Sequence, residues 1–273
     1  MRYLYILFLT IFFASCGQPE EVIVEDVPDV ESNVELELEL LNKEIRENPD
    51  SPNGYHRRHQ YWIEQGEFGK ANEDLNACIK MSPETAIYYL DKARLSFNLG
   101  EIDNSMAYLD KTLELDSVST DALILQGRIY LSVPNYQLSV DALNQALRIN
   151  KFLPEPYFYK GLAFARSGDT LNAVTSFITA TEQYSEYYEP YLELGVIYSA
   201  HEGEDRERAL LYFNNALEIK PNSIEALLAK AIYLQNNAGQ EMADSCYNQI
   251  LELDPTFEVA FHNKGFMHLM EYR

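Results

Sequence analysis

Apolar residues recur along most of this chain at the spacing of one face of an α-helix, and the pattern itself repeats. Large apolar residues stand at Tyr55, Tyr89, Leu123, Tyr157, Tyr191, Leu227 and Phe261. Four residues further on come His59, Ala93, Gly127, Gly161, Gly195, Ala231 and Gly265, most of them small. Three further still are Trp62, Ser96, Tyr130, Phe164, Tyr198 and Leu234. Gly66, Gly100, Pro134 and Gly168 then mark turns. A second face follows each turn. It opens on small residues at Ala71, Ser105, Ser139, Ala173, Ala209 and Ala243, with knobs at Leu75, Leu109, Leu143, Phe177, Phe213 and Tyr247. Steps of three and four keep each set on one side of a helix. Helices of roughly thirteen residues are marginal alone, so stacking must supply most of the stability.

The period is 34 residues, seen between Pro49 and Pro83 and between Pro221 and Pro255. A unit of this length is one helical hairpin that cannot bury its apolar face alone, so neighbours stack into a solenoid. The order of aromatic, small and aromatic residues in the first helix, then small, large and small in the second, with a closing proline, resembles the tetratricopeptide repeat (TPR). Closing prolines Pro83, Pro221 and Pro255 frame full repeats at 52–85, 86–119, 120–153, 154–187, 188–223 and 224–257. The resemblance implies an all-α, right-handed superhelical solenoid of stacked hairpins, with about six full repeats and partial ones at each end. His59 departs from the pattern, and looser packing is expected there. The fifth repeat has 36 residues, predicting a protruding loop around 201–206. Ser117, Lys151 and Ser185 replace the closing proline. Residues 34–40 alternate like a strand, but Leu38, Leu41 and Ile45 share a helical face, predicting a capping helix within 34–51.

The first residues differ in kind. Arg2 precedes an apolar run from Leu4 to Phe13, too short to span a bilayer and right for a signal-peptide core. Ala14-Ser15-Cys16 resembles a bacterial lipobox, with Phe13 where leucine is usual. That resemblance implies cleavage before Cys16 and lipidation of its thiol, palmitate included. Two or three acyl chains at roughly 0.8 kcal/mol per buried CH₂ anchor stably. The acidic segment after it has two prolines and no aromatic residue, as a disordered tether does. The expected organisation is a lipoprotein signal peptide at 1–15, lipidated cysteine and tether at 16–33, capping helix at 34–51 and solenoid at 52–273. It implies the bacterial cell envelope, as an outer-membrane lipoprotein facing the periplasm or the cell surface.

With 21 Lys/Arg against 43 Asp/Glu the formal charge is −22, which argues against a nucleic-acid scaffold. Cys78 falls at a small core-facing position and Cys246 about five repeats away, so no intramolecular disulfide is expected. There is no Gly-rich phosphate loop, H-E-x-x-H or paired C-x-x-C, so neither enzyme chemistry nor a cofactor is expected. His56 and His59 share a helical face, but no third ligand is near in sequence and Arg57 and Arg58 stand beside them. No metal is expected there.

The resemblance also implies a binding wall made by the first helix of each repeat. Arg57, Arg94 and Arg128 put cations on the early part. Phe158, Leu162, Leu192, Val196, Leu228 and Ile232 form a later apolar stripe, rimmed by Glu155, Glu189 and Glu225. Such a wall suits an extended or helical segment with an apolar side and an acidic end. Alternatively, Asp91 and Asp121 neutralise the arginines and the apolar residues pack between repeats. The Lys and Asn clamp by which some TPR proteins hold chaperone carboxylates is unmatched. Residues 258–272 are apolar on more than one side, as a homodimer or docking surface would be. The expected function is a membrane-anchored scaffold or adaptor for a protein or peptide. The competing class is a surface lipoprotein binding a glycan or other extracellular ligand, which the 20 tyrosines allow.

Overall fold

The computed structural model describes residues 30–200, 206–237 and 239–271. These hold fourteen helices: α1 Val30–Glu47, α2 Pro52–Glu64, α3 Phe68–Met81, α4 Ala86–Asn98, α5 Ile102–Leu115, α6 Thr120–Ser132, α7 Tyr136–Ile149, α8 Pro154–Ser167, α9 Thr170–Gln183, α10 Tyr188–Ser199, α11 Arg206–Ile219, α12 Ile224–Asn236, α13 Gln240–Leu253 and α14 Glu258–Glu271. No strand occurs among the described residues. From α2 onward the helices pair as the 34-residue frame predicts, and each pair packs on the next. No helix among the described residues is long and apolar enough to cross a membrane.

Local chemistry sets the ends. Ser51, Ser119, Asp169 and Ser223 cap α2, α6, α9 and α12, each side chain accepting a hydrogen bond from a backbone N–H of the first turn. Gly66, Gly100 and Gly168 have φ of 71°, 76° and 87°, which an L side chain rarely adopts, and end α2, α4 and α8.

The small-then-large pattern is a matter of contact within each pair. A Cβ on Gly127 would lie 2.6 Å from Leu143, and on Gly161 or Gly195 it would lie 2.5 Å from the ring of Phe177 or Phe213. The knobs fill the room that the missing side chains leave. Ser105 and Ser139, buried in the second helix of their pairs, also donate hydrogen bonds to the Ala93 and Gly127 carbonyls (2.7 and 2.8 Å).

The first helices of successive repeats also touch one another: α4 meets α6, α6 meets α8, α10 meets α12, and α12 meets α14. Successive second helices make no contact of comparable extent. The stack therefore curves with its first helices on the inner face.

Two expectations are revised. The N-terminal helix begins at Val30, inside the stretch expected to be tether, and ends at Glu47, within the expected 34–51. Its Ile45 packs so closely on Gly54 that a Cβ there would meet it at 2.8 Å. His59 does not loosen the first repeat. It is buried, stacks on His56 with ring centroids 4.8 Å apart, and its Nδ1–H donates to the His56 carbonyl. The cysteines Cys78 and Cys246 are both free and buried, and burial followed by the charge of Asp74 pushes the Cys78 thiol up to about 12. The loop expected around 201–206 lies largely outside the described residues, as do Cys16 and the stretches expected to be signal peptide and, for the most part, tether.

Candidate functional site

The inner face is built from α2, α4, α6, α8, α10, α12 and α14. At its early end Arg57 points away from a shared cationic stripe. It pairs with Glu44 of α1 at 2.6 Å, and Gln60 holds the repeat position equivalent to Arg94 and Arg128. Arg94 is neutralised, bonded to Asp91 at 3.1 Å and to Asp121 at 2.6 Å.

Arg128 differs. Among the described residues no carboxylate lies within salt-bridge distance of it. Its guanidinium sits over the rings of Phe97 (5.5 Å) and Tyr159 (5.3 Å). Three residues before Arg94 stands Asp91, but three before Arg128 stands Leu125. Arg128 is therefore a cationic fork set beside two aromatic rings on the inner wall, and a guanidinium can recognise a carboxylate in two-point fashion.

Beyond it the predicted apolar stripe is only partly surface. Leu192 is buried, and Leu162 and Leu228 are half-buried against the core. Phe158 is wedged among Tyr159, Phe177 and Tyr187, with centroids 5.2, 5.9 and 5.3 Å away. Burial, then the neighbouring Tyr159, Glu155 and Glu189, push the Tyr187 hydroxyl well above its ordinary range, so it stays a neutral donor. Val196 and Ile232 are the two stripe residues that present surface, at 46% and 40% exposure. They flank a cavity of about 250 Å³ that is also lined by Ser199, Phe213, Ala229, Tyr233 and Asn236.

A second cavity, of about 330 Å³, opens between α2 and α4. His59, Gln60 and Glu64 line one side, and Asp91, Arg94 and Asn98 the other. Burial lowers the pKa of His59 against the pull of Asp91. Farther along, burial raises the pKa of Glu193 on α10, and repulsion from Glu225 adds to it against Arg166. Of the residues expected in 258–272, Phe261, Phe266 and Leu269 are exposed, and a Cβ on Gly265 would meet nothing within 4 Å. The equivalent glycines of earlier repeats are filled by a knob.

Reasoning from sequence did not find the partnership of Asp91 with His56 and His59. Asp91 lies 35 residues after His56 and 32 after His59. The signal was there in principle, because residues separated by one period give or take one or two become neighbours across a repeat boundary.

A family model described as tetratricopeptide repeat matches residues 63–120. The rat (Rattus norvegicus) mitochondrial import receptor subunit TOM70 is 26% identical over 121 residues, which is 44% of this chain and 20% of the receptor. The chain thus spans about a fifth of that relative's length. Among solved structures, PilF of Pseudomonas aeruginosa superposes with a TM-score of 0.67 at 15% identity, covering 80% of this chain and 97% of its own. YrrB, a TPR protein with an unusual peptide-binding site, superposes with a TM-score of 0.53 at 22% identity, covering 70% of this chain and 97% of its own. Residues 63–120 therefore match the tetratricopeptide repeat, and the described residues fold as a solenoid of that kind.

Proposed function

We propose that this protein is a scaffold or adaptor that holds a protein or peptide segment along its inner face, anchored in the bacterial envelope through a lipid on Cys16. The observation that carries the binding reading is Arg128. A guanidinium without a carboxylate partner among the described residues, braced by Phe97 and Tyr159, faces the same wall as the exposed Val196 and Ile232 farther along. A segment with a carboxylate at one end and apolar side chains at the other meets both. Of the three arginines expected on the early part of the wall, Arg57 and Arg94 are already paired with carboxylates.

Crosslinking and mass spectrometry on envelopes containing the chain test the reading. Arg128→Glu and Ile232→Asp are each expected to reduce the crosslinked partner at least tenfold, since each places an unmatched charge in the contact. Equal recovery from both variants and the parent chain would sink the proposal. The anchor rests on the lipobox-like Ala14-Ser15-Cys16. Cys16→Ala is expected to abolish incorporation of labelled palmitate and to move the chain from the membrane to the soluble fraction. Undiminished labelling removes the anchor from the proposal.

A further inference from the structure

His56 and His59 stand one turn apart on α2, Asp91 stands on α4, and one candidate ligating atom from each lies within 4.8 Å of the other two. We propose that these three residues form a binding site for a divalent transition-metal ion of the zinc type, joining the first repeat to the second and leaving a coordination position open to the cavity beside it.

The hydrogen bonds around the cluster prepare it for this. His59 is 4% exposed, and its Nδ1–H is committed to the His56 carbonyl. A backbone acceptor on one ring nitrogen fixes the tautomer and leaves the other as a lone pair, the usual outer arrangement of a metal-bound histidine. Here that lone pair, on Nε2, faces Asp91 Oδ2 at 3.7 Å, beyond hydrogen-bond reach. A nitrogen lone pair opposite a carboxylate oxygen lacks a cation between them. His56 Nε2 approaches the same oxygen at 2.7 Å. Metal binding replaces the proton shared there, which passes to His56 Nδ1 or to solvent.

The rest of the surroundings permit a cation. Arg57 and Arg58, which the sequence places beside the histidines, are drawn to Glu44 (2.6 Å) and Asp74 (2.6 Å) on neighbouring helices. Arg94 binds the other Asp91 oxygen, Oδ1, at 3.1 Å and is itself paired with Asp121, so it orients the carboxylate with Oδ2 towards the imidazoles. Two imidazoles and one carboxylate suit zinc, copper or nickel better than magnesium or calcium, which take oxygen sets. At roughly 2.0–2.2 Å per bond the ligands must draw in from their present spacing, through side-chain rotation. The open position faces the 330 Å³ cavity lined by Gln60, Glu64 and Asn98.

The test is titration of the untagged full chain with Zn²⁺ by calorimetry, together with its melting temperature with and without Zn²⁺. The expected result is one ion per chain, unaffected by a large excess of Mg²⁺, and a rise in melting temperature by mass action. His56→Ala, His59→Gln and Asp91→Asn are each expected to weaken binding by more than the roughly 10–100-fold that loss of an outer partner costs, and to remove the thermal shift. Circular dichroism checks that each variant folds. Should His59→Gln fail, the other two decide, because His56 and Asp91 are only half-buried. Zinc bound equally by the variants, displaced by Mg²⁺ or not bound at all overturns the site.

Discussion

Phe177→Ala is expected to cost about 3–5 kcal/mol, the range for removing a fully buried aromatic side chain. Phe177 is 0% exposed, and its ring occupies the space that Gly161 leaves open on the facing helix. Glycine has no side chain with which to refill that space, so the cavity persists. Each hairpin touches only its neighbours, so the loss is concentrated in the fourth repeat rather than shared by the whole chain. Denaturant unfolding should then separate two observables. Far-ultraviolet circular dichroism follows all the helices, whereas the single tryptophan, Trp62, reports from α2. The circular-dichroism midpoint is expected to fall well below that of Trp62 fluorescence. A coincident transition, within about 1 kcal/mol of the parent protein, would show that the Gly161–Phe177 contact does not hold the repeat together.

Arg58→Met should act at the other end and in the opposite order. Arg58 donates from Nε and Nη2 to the two carboxylate oxygens of Asp74 (2.9 and 2.6 Å) and from Nη1 to Asn42 (2.6 Å), tying α1, α2 and α3 together. Asp74 is 3% exposed, so without the guanidinium it is a buried charge with no counterion. Breaking such a pair by removing one partner costs about 3–5 kcal/mol. Trp62 fluorescence should now lose its structure before the bulk of the helical signal does. Arg58→Met combined with Asp74→Leu should recover most of the loss, because replacing both charges by apolar groups is often neutral. A double variant no more stable than Arg58→Met would refute the assignment.

The contrast between these residues shows what the sequence made legible. Contacts within a hairpin follow from spacing alone: the small residue in the first helix and the knob in the second recur at fixed offsets, and the structure pairs Gly127 with Leu143 and Gly195 with Phe213 as that spacing requires. Helix boundaries follow from it too, down to Pro52 opening α2. Polar partnerships across a repeat boundary do not repeat, so periodicity carries little information about them. Arg94 and Arg128 hold the same repeat position, yet one is locked between two aspartates and the other stacks on rings, because Asp91 in one repeat is Leu125 in the next. The same aspartate completes the histidine pair on α2. Leu192 looked like a wall residue by position and is core, while Val196 one turn further along α10 is exposed.

The connectivity of the stack has a mechanical side. Contacts inside each hairpin are more extensive than those between one hairpin and the next, and the joint from α5 to α6 is among the most sparsely made. Load applied along the axis is therefore carried by soft joints in series, each stiff unit turning slightly on its neighbour. The Arg94–Asp121 pair, which bridges α4 and α6 across that joint, acts as a stay on the inner side. Bending that widens the inner face must stretch it, and bending that narrows the face relaxes it. The inner side of the joint is thus held by helix contact and by this pair, whereas successive second helices on the outer side make no contact of that extent.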